Sequence, residues 1–185
     1  MPIMKIAAID PSLANFGMAK MNLDLQTMKF DILDFMLIET DRQVSKQVRQ
    51  NSDDLRRCKL IYRGFSEFVK DCAVVFAEIP SGAQSASALK ALAMVTGLLA
   101  GCPKPLIQVQ PAETKIATVG TRTASKEEMI AWAAETYPDA AWLRVRKSGK
   151  LLAKNEHLAD ACAIAHAGIA TDQFLQVVAL WRSAA

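Results

Sequence analysis

The sequence predicts an α/β domain built on a mixed sheet, and three observations carry that expectation. Three strand-like runs follow one another through short turns at the start of the chain. Strands and helical periodicities then alternate, giving the order βββαβαβα with trailing helices. At 185 residues the chain can bury one sizeable core but not two ordinary ones, so a single domain over residues 1–185 is expected.

MKIAAID, ending in Asp10, reads as a central strand; a Pro-Ser-Leu-Ala-Asn turn and Gly17 lead into a second strand through about Asn22. KFDILDFMLIE is a third, completing an antiparallel meander. From about Asp41 to Lys70 the apolar residues Val44, Val48, Leu55, Cys58, Ile61, Phe65 and Phe68 recur at helical spacing, with polar residues between them. That pattern predicts one long amphipathic helix, interruptible near Asn51. CAVVFAEIP is a fully apolar strand that ends on Glu78. SASALKALAMVTGLLAG is a small-residue helix and PLIQVQP a fifth strand. PAETKIATV and SKEEMIAWAAETY follow as helices, started by Pro111 and by Ser125 with Glu128 three residues on. Asn155 is expected to cap the helix NEHLADACAIAHAG and Gly168 to close it, with His166 as a helix-end residue. DQFLQVVALWRSA forms a last amphipathic helix.

Composition excludes several classes. No apolar run approaches the roughly 20 residues of a membrane span. The start MPIMKIAAID carries one lysine and no small-residue cleavage site, so a cytoplasmic protein without membrane association is expected. Cys58, Cys72, Cys102 and Cys162 lie far apart without a C-x-x-C pair and read as reduced core residues. The formal charge of +3 is modest, but Arg144, Arg146, Lys147, Lys150 and Lys154 crowd one stretch that holds a single acid, Glu156. That stretch is either a solvated loop or a phosphate-contacting surface.

The chemistry lies in the acids. Asp10 ends one apolar strand, Glu78 ends another, and Asp160 sits in the first turns of an Ala-rich helix. A buried carboxylate without a counter-charge costs several kcal/mol, so three that converge imply a cation. Oxygen ligands favour magnesium or manganese, and two such ions roughly 4 Å apart suit phosphodiester hydrolysis. His157 lies three residues before Asp160, on the same helix face, and can ligate a metal or carry a proton. Each residue also has an ordinary reading: Asp10 as a turn former, Glu78 as a strand end, His157 and Asp160 as water-exposed groups near a helix N-terminus. Glu156 is a competing ligand within a turn of Asp160.

Together these segments resemble the RuvC-type Holliday junction resolvases of the ribonuclease H-like superfamily. IDPSLANFG, VVFAEIP, SASALKALAMVTG and HLADACAIAHA match the family's motifs in order and spacing over almost the whole chain. KIATVGTRTASK supplies Lys115 and Lys126 at the separation of the family's two important lysines, which on sequence alone read as helix-surface residues.

The resemblance implies a ribonuclease H-like fold, with a five-stranded sheet of three antiparallel and then two parallel strands flanked by helices. It implies a metal-dependent endonuclease that resolves four-way and other branched DNA by paired nicks, leaving 5′-phosphate and 3′-hydroxyl ends. Asp10, Glu78, His157 and Asp160 would hold two Mg2+ ions, with Mn2+ able to substitute, and Lys115 would approach the scissile phosphate. Lys126, Arg122, Arg144, Arg146, Lys147, Lys150, Ser81 and Gln84 would contact the DNA. A homodimer would present two equivalent sites to the two cut strands, with helices 85–100 and 41–70 as its expected interface.

Ser12 replaces the family's first glycine, and Ser81 stands where many cellular members carry an aromatic residue. This pattern is more similar to phage-encoded members acting on a wider range of branched DNA, for which the compartment would be the host cytoplasm. The competing readings are a junction-binding protein without catalysis, a ribonuclease H acting on RNA–DNA hybrids, and an actin-like phosphotransferase, for whose second lobe the chain has no room.

Overall fold

Ile3–Asp10 forms the first strand, β1, and its alternating side chains divide the core in two. In the computed structural model, which describes residues 2–43, 45, 47–79, 82 and 84–183, Met4, Ile6 and Ala8 enter one apolar cluster and Ala7 and Ile9 the other. β1 is central: it pairs antiparallel with β2 (Asn15–Asp24) and parallel with β4 (Val74–Glu78). β3 (Lys29–Glu39) extends the antiparallel side and β5 (Leu106–Val109) the parallel side, giving the order β3-β2-β1-β4-β5. The mixed five-stranded sheet is the one expected, including its three-then-two division.

Both faces are covered. One carries α1 (Gln50–Phe68) and α2 (Ala86–Ala100), whose Ile61, Phe65, Val95 and Leu99 pack on Ala7, Ile9, Val75 and Ala77. The other carries α5 (Asn155–Gly168), laid mainly over β1 and β2, with α4 (Lys126–Thr136) and α6 (Asp172–Ser183) contributing Ala133 and Phe174 to the same cluster. α3 (Pro111–Thr118) connects β5 to that layer. Cys72 and Cys162 are buried and all four cysteines are free. Among the described residues no single helix is long and apolar enough to cross a membrane.

Three local expectations are corrected. The long helix starts at Gln50, not near Asp41: the Ser45 hydroxyl accepts from the Gln47 and Val48 amides, a local turn that competes with helix. Val44 lies outside the described residues. Val48 and Leu55 face solvent, and the buried side of the first turns is instead Asp53, Asp54 and Arg57.

Asn155 does not cap α5; Lys154 holds that position, and Asn155, fully buried, bonds the Leu143 amide and the Leu143 and Leu152 carbonyls. Gly168 is not a left-handed stop but the last helical residue, where a Cβ would lie 2.3 Å from the Phe76 ring. His166 stands in the last turn of α5 as expected, but its ring is turned inward against the core. Nε2 is 2.7 Å from the Tyr137 hydroxyl, the ring meets Phe30 and Trp132 edge-on, and burial pulls its pKa down to about 4.

Candidate active site

The carboxyl ends of β1 and β4 are neighbours because the strands are parallel, with Ile9 opposite Ala77 one residue before Asp10 and Glu78. Strand alternation then decides which face the acids take. Asp10 shares parity with Ile6 and Ala8, and Glu78 with Val74 and Phe76, so both belong to the face covered by α5. Such a carboxyl edge is where open α/β sheets place their ligands. α5 brings His157 and Asp160, a helical turn apart, onto that edge.

The groups act on one another strongly. His157 Nδ1 is 2.7 Å from Asp10 Oδ2, and this hydrogen bond, aided by the charges of Asp10, Glu156 and Asp160, raises the imidazole pKa against the cost of burial. Burial first, and then the charge of Asp10, pushes Glu78 up to about 7, while Lys115 pulls it back. Asp160 is likewise pushed up to about 7, by burial and by the charges of Asp10 and Glu78. Asp10 thus disfavours ionisation of Glu78, and both disfavour that of Asp160, in one poorly solvated space.

Two glycine and serine positions make this geometry possible. Gly17 faces Asp10 across the β1–β2 pair, and a Cβ there would lie 2.5 Å from the His157 carbonyl oxygen. The bare backbone lets the start of α5 approach the sheet. Ser12 stands in a turn without positive φ, accepting from the Asn15 amide at 2.9 Å, so the missing glycine costs no strain there. The same turn is held from below by Arg57, 5% exposed, which donates to the Leu13 carbonyl at 3.1 Å and to the Thr40 hydroxyl at 2.9 Å.

The basic residues arrange around the rim. Lys115, on α3, is close enough to act on Glu78 and donates to the Ala124 carbonyl at 2.8 Å. Arg122 is exposed on the turn between α3 and α4, which Gly120 enters at φ 80°. Lys126 begins α4 and pairs with Glu156 Oε2 at 2.8 Å, while Glu156 Oε1 lies 3.3 Å from His157 Nε2. Glu156 therefore belongs to the site's edge, between a lysine and the histidine.

Residues 143–152 form a small hairpin, closed by an Arg144–Leu151 bridge and by the Val145 amide on the Lys150 carbonyl, with Gly149 at φ 67°. Arg144 is partly spent inside it, donating to the Gly149 carbonyl; Arg146, Lys147 and Lys150 are exposed. Asn155 ties the base of this hairpin to α5, and hence to His157 two residues on. Gln84 is exposed just before α2, and Ser81 lies outside the described residues.

The donor set is hard: three carboxylates and one imidazole, with Glu156 beside them, and its mutual repulsion is what a divalent cation would relieve. Among the described residues no three of these side chains stand in a ready-made ligating cluster, and His157 spends Nδ1 on Asp10. Sequence reasoning missed Gly17 as a spacer, Asn155 as a clamp and Arg57 as a strut. Each works through a tertiary contact that no local pattern announces.

Neither a protein-family model nor a curated protein sequence matches the chain. Solved structures do. Thermus thermophilus RuvC in complex with a Holliday junction substrate aligns with a TM-score of 0.65 at 20% identity, covering 89% of this chain and 92% of that one. A second T. thermophilus RuvC structure aligns at 0.61 and 21%, covering 95% and 97%. Fowlpox virus resolvase, complexed with Holliday junction DNA, aligns at 0.54 and 15%, covering 95% and 99%. The sheet order, the packing of α5 over β1 and β2, and near-complete coverage of both chains agree: this chain has the ribonuclease H-like fold of the RuvC-type Holliday junction resolvases.

Proposed function

We propose that this protein is a metal-dependent, structure-selective endodeoxyribonuclease that resolves four-way and other branched DNA junctions, serving DNA recombination and repair. The observation that carries the reading is the convergence of Asp10, Glu78 and Asp160 at one sheet edge, where Glu78 and Asp160 are both pushed up to about 7. Three mutually repelling acids are a poor structural device and a good cation site. The likeness to RuvC and to the fowlpox enzyme, both with junction DNA, supports branched DNA as the partner.

Asp10, Glu78, His157 and Asp160 would hold the ions, two Mg2+ with Mn2+ able to substitute. When bound, the ions would supply the positive charge that activates an attacking water and steadies the departing oxygen. The rest falls to the chain's own side chains. Lys115, already near Glu78, would offset charge growing on the non-bridging oxygens of the scissile phosphate. Asp10 would hold His157 in one orientation through the 2.7 Å bond at Nδ1. Lys126, Arg122, Arg144, Arg146, Lys147 and Lys150, together with Ser81 and Gln84, would contact the DNA, chiefly its backbone, so that DNA shape supplies most of the selectivity. The products would be a 5′-phosphate and a 3′-hydroxyl.

Paired nicks call for two sites, and a homodimer of this one nuclease domain would provide them. Its expected interface, the outer faces of α1 and α2, carries the exposed Leu55, Tyr62 and Leu89. The test is cleavage of an end-labelled four-way junction beside a duplex of the same sequence, in Mg2+ and in EDTA. The reading requires paired nicks near the crossover in Mg2+ alone and an intact duplex. Binding without nicks in Mg2+ and Mn2+ would leave a junction-binding protein, and preferential cutting of an RNA–DNA hybrid would leave a ribonuclease H.

A further inference from the structure

Lys126 is a long side chain with nowhere it must be. Its side chain is 74% exposed, yet Nζ sits 2.8 Å from Oε2 of Glu156, whose own side chain is only 21% exposed. The second oxygen of Glu156 is turned the other way, 3.3 Å from Nε2 of His157, whose Nδ1 contacts Asp10. One carboxylate thus spans the gap between a rim lysine and the wall of the acid cluster. A carboxylate offers two acceptor oxygens on one atom and no donor, as the non-bridging oxygens of a phosphodiester do.

We propose that Glu156 is an internal stand-in for a DNA phosphate: a positioning residue that keeps Lys126 folded against the acid cluster in the free protein and yields it to the DNA backbone on binding. This rests on the junction-binding reading above. An ion pair with so exposed a lysine is weak, so a phosphate can take the ammonium over at small cost. While the pair lasts, Lys126 adds no net charge toward DNA and is confined to the place where a phosphate must arrive. Lys115, the other lysine of the site, is tied to a neutral carbonyl instead and stays available to charge. The two lysines are therefore held by different means, and only Lys126 has to be released.

The test is a double-mutant cycle on junction affinity in EDTA, where nothing is cleaved and no metal takes part, using wild type, Glu156→Gln, Lys126→Met and the double variant across a salt series. Matching circular dichroism and melting curves would establish that all four are folded. Glu156→Gln should tighten binding several-fold and steepen the dependence of log K on log salt by roughly one. In the Lys126→Met background the same substitution should give no gain. With Mg2+, Glu156→Gln should lower KM and kcat together, because a freed lysine binds DNA but no longer waits at the scissile position.

A gain that persists without Lys126 would make Glu156 only a source of general repulsion and overturn the proposal. Unchanged affinity in Glu156→Gln would do so as well. Failure of the wild type to bind any junction would instead sink the junction-binding reading, and this proposal with it.

Discussion

Gly17 leaves no room for a side chain. The backbone of β2 runs so close to the first turn of α5 that a methyl group would meet the His157 carbonyl oxygen at 2.5 Å and its Cβ at 2.8 Å, and both are held by the helix. Gly17→Ala should therefore move the start of α5 off the sheet edge, costing about 1–3 kcal/mol as overpacking does. The melting temperature should fall, and junction cleavage more than junction binding, because the shift separates His157 from Asp10. An alanine variant as active and as stable as wild type would mean that α5 adjusts freely. At this scale the sequence was informative where chemistry and local position coincide. Asp10 and Glu78 stand out as acids at the ends of apolar strands, and His157 and Asp160 as polar residues one turn apart in an Ala-rich helix. Asn155 misleads because a polar residue at a helix start has a local role to offer, the cap, and here a neighbouring hairpin claims its amide instead.

Helix α1 changes character along its length. From Ile61 onward its apolar residues meet the sheet as the periodicity requires, but its first two turns bury Asp53, Asp54 and Arg57 under the β1–β2 turn. Arg56 holds Asp53 at 2.7 Å, Lys90 of α2 holds Asp54, and Arg57 secures Leu13 and Thr40. A hydrophobic pattern cannot reveal this, because burial there is satisfied by carbonyls and counter-charges from distant segments. Arg57→Met should leave the Leu13 carbonyl and the Thr40 hydroxyl with only the bond that Thr40 donates to Leu13, and Asp53 short of a positive neighbour. The expected loss is about 1–3 kcal/mol, as for a buried hydrogen bond from a charged group. In urea titrations the midpoint should drop at unchanged slope. Cleavage should weaken too, since the turn that follows Asp10 loses its support. If stability fell but cleavage per folded molecule did not, Arg57 would be a stability element alone.

For the whole molecule, the acid cluster sets stability against function. Glu78 and Asp160 have folded-state pKa values near 7 against ordinary values of 4.5 and 3.8, so the folded chain keeps protons that the unfolded chain has already released. The stability these two acids contribute without metal must then decline as pH rises from about 4 to about 7, and His157, raised above its ordinary 6.5, extends the decline further. His166 works the other way: held at about 4 against 6.5, it removes stability as pH falls through that interval. Two carboxylates outweigh one imidazole, so the metal-free protein should melt at a lower temperature at pH 8 than at pH 5. Asp160→Asn should raise the melting temperature in EDTA at pH 8, with the advantage shrinking toward pH 4. A destabilised Asp160→Asn protein at pH 8 would mean that the cluster is not under electrostatic stress. The topology was legible from three strands joined by short turns and from the alternation that follows, since each is fixed by local pattern and connection length. How closely α5 approaches the sheet was not, because it depends on one missing side chain in β2.

The most direct measurement compares wild type with Asp10→Asn on a labelled four-way junction in Mg2+, with affinity measured on the same samples in EDTA. Asp10 lies at the junction of β1, His157 and the two perturbed acids, and the substitution removes one charge while keeping the side chain's shape. The expected result is lost cleavage with affinity retained or increased. Undiminished cleavage by Asp10→Asn would contradict the assignment of this sheet edge as the catalytic site.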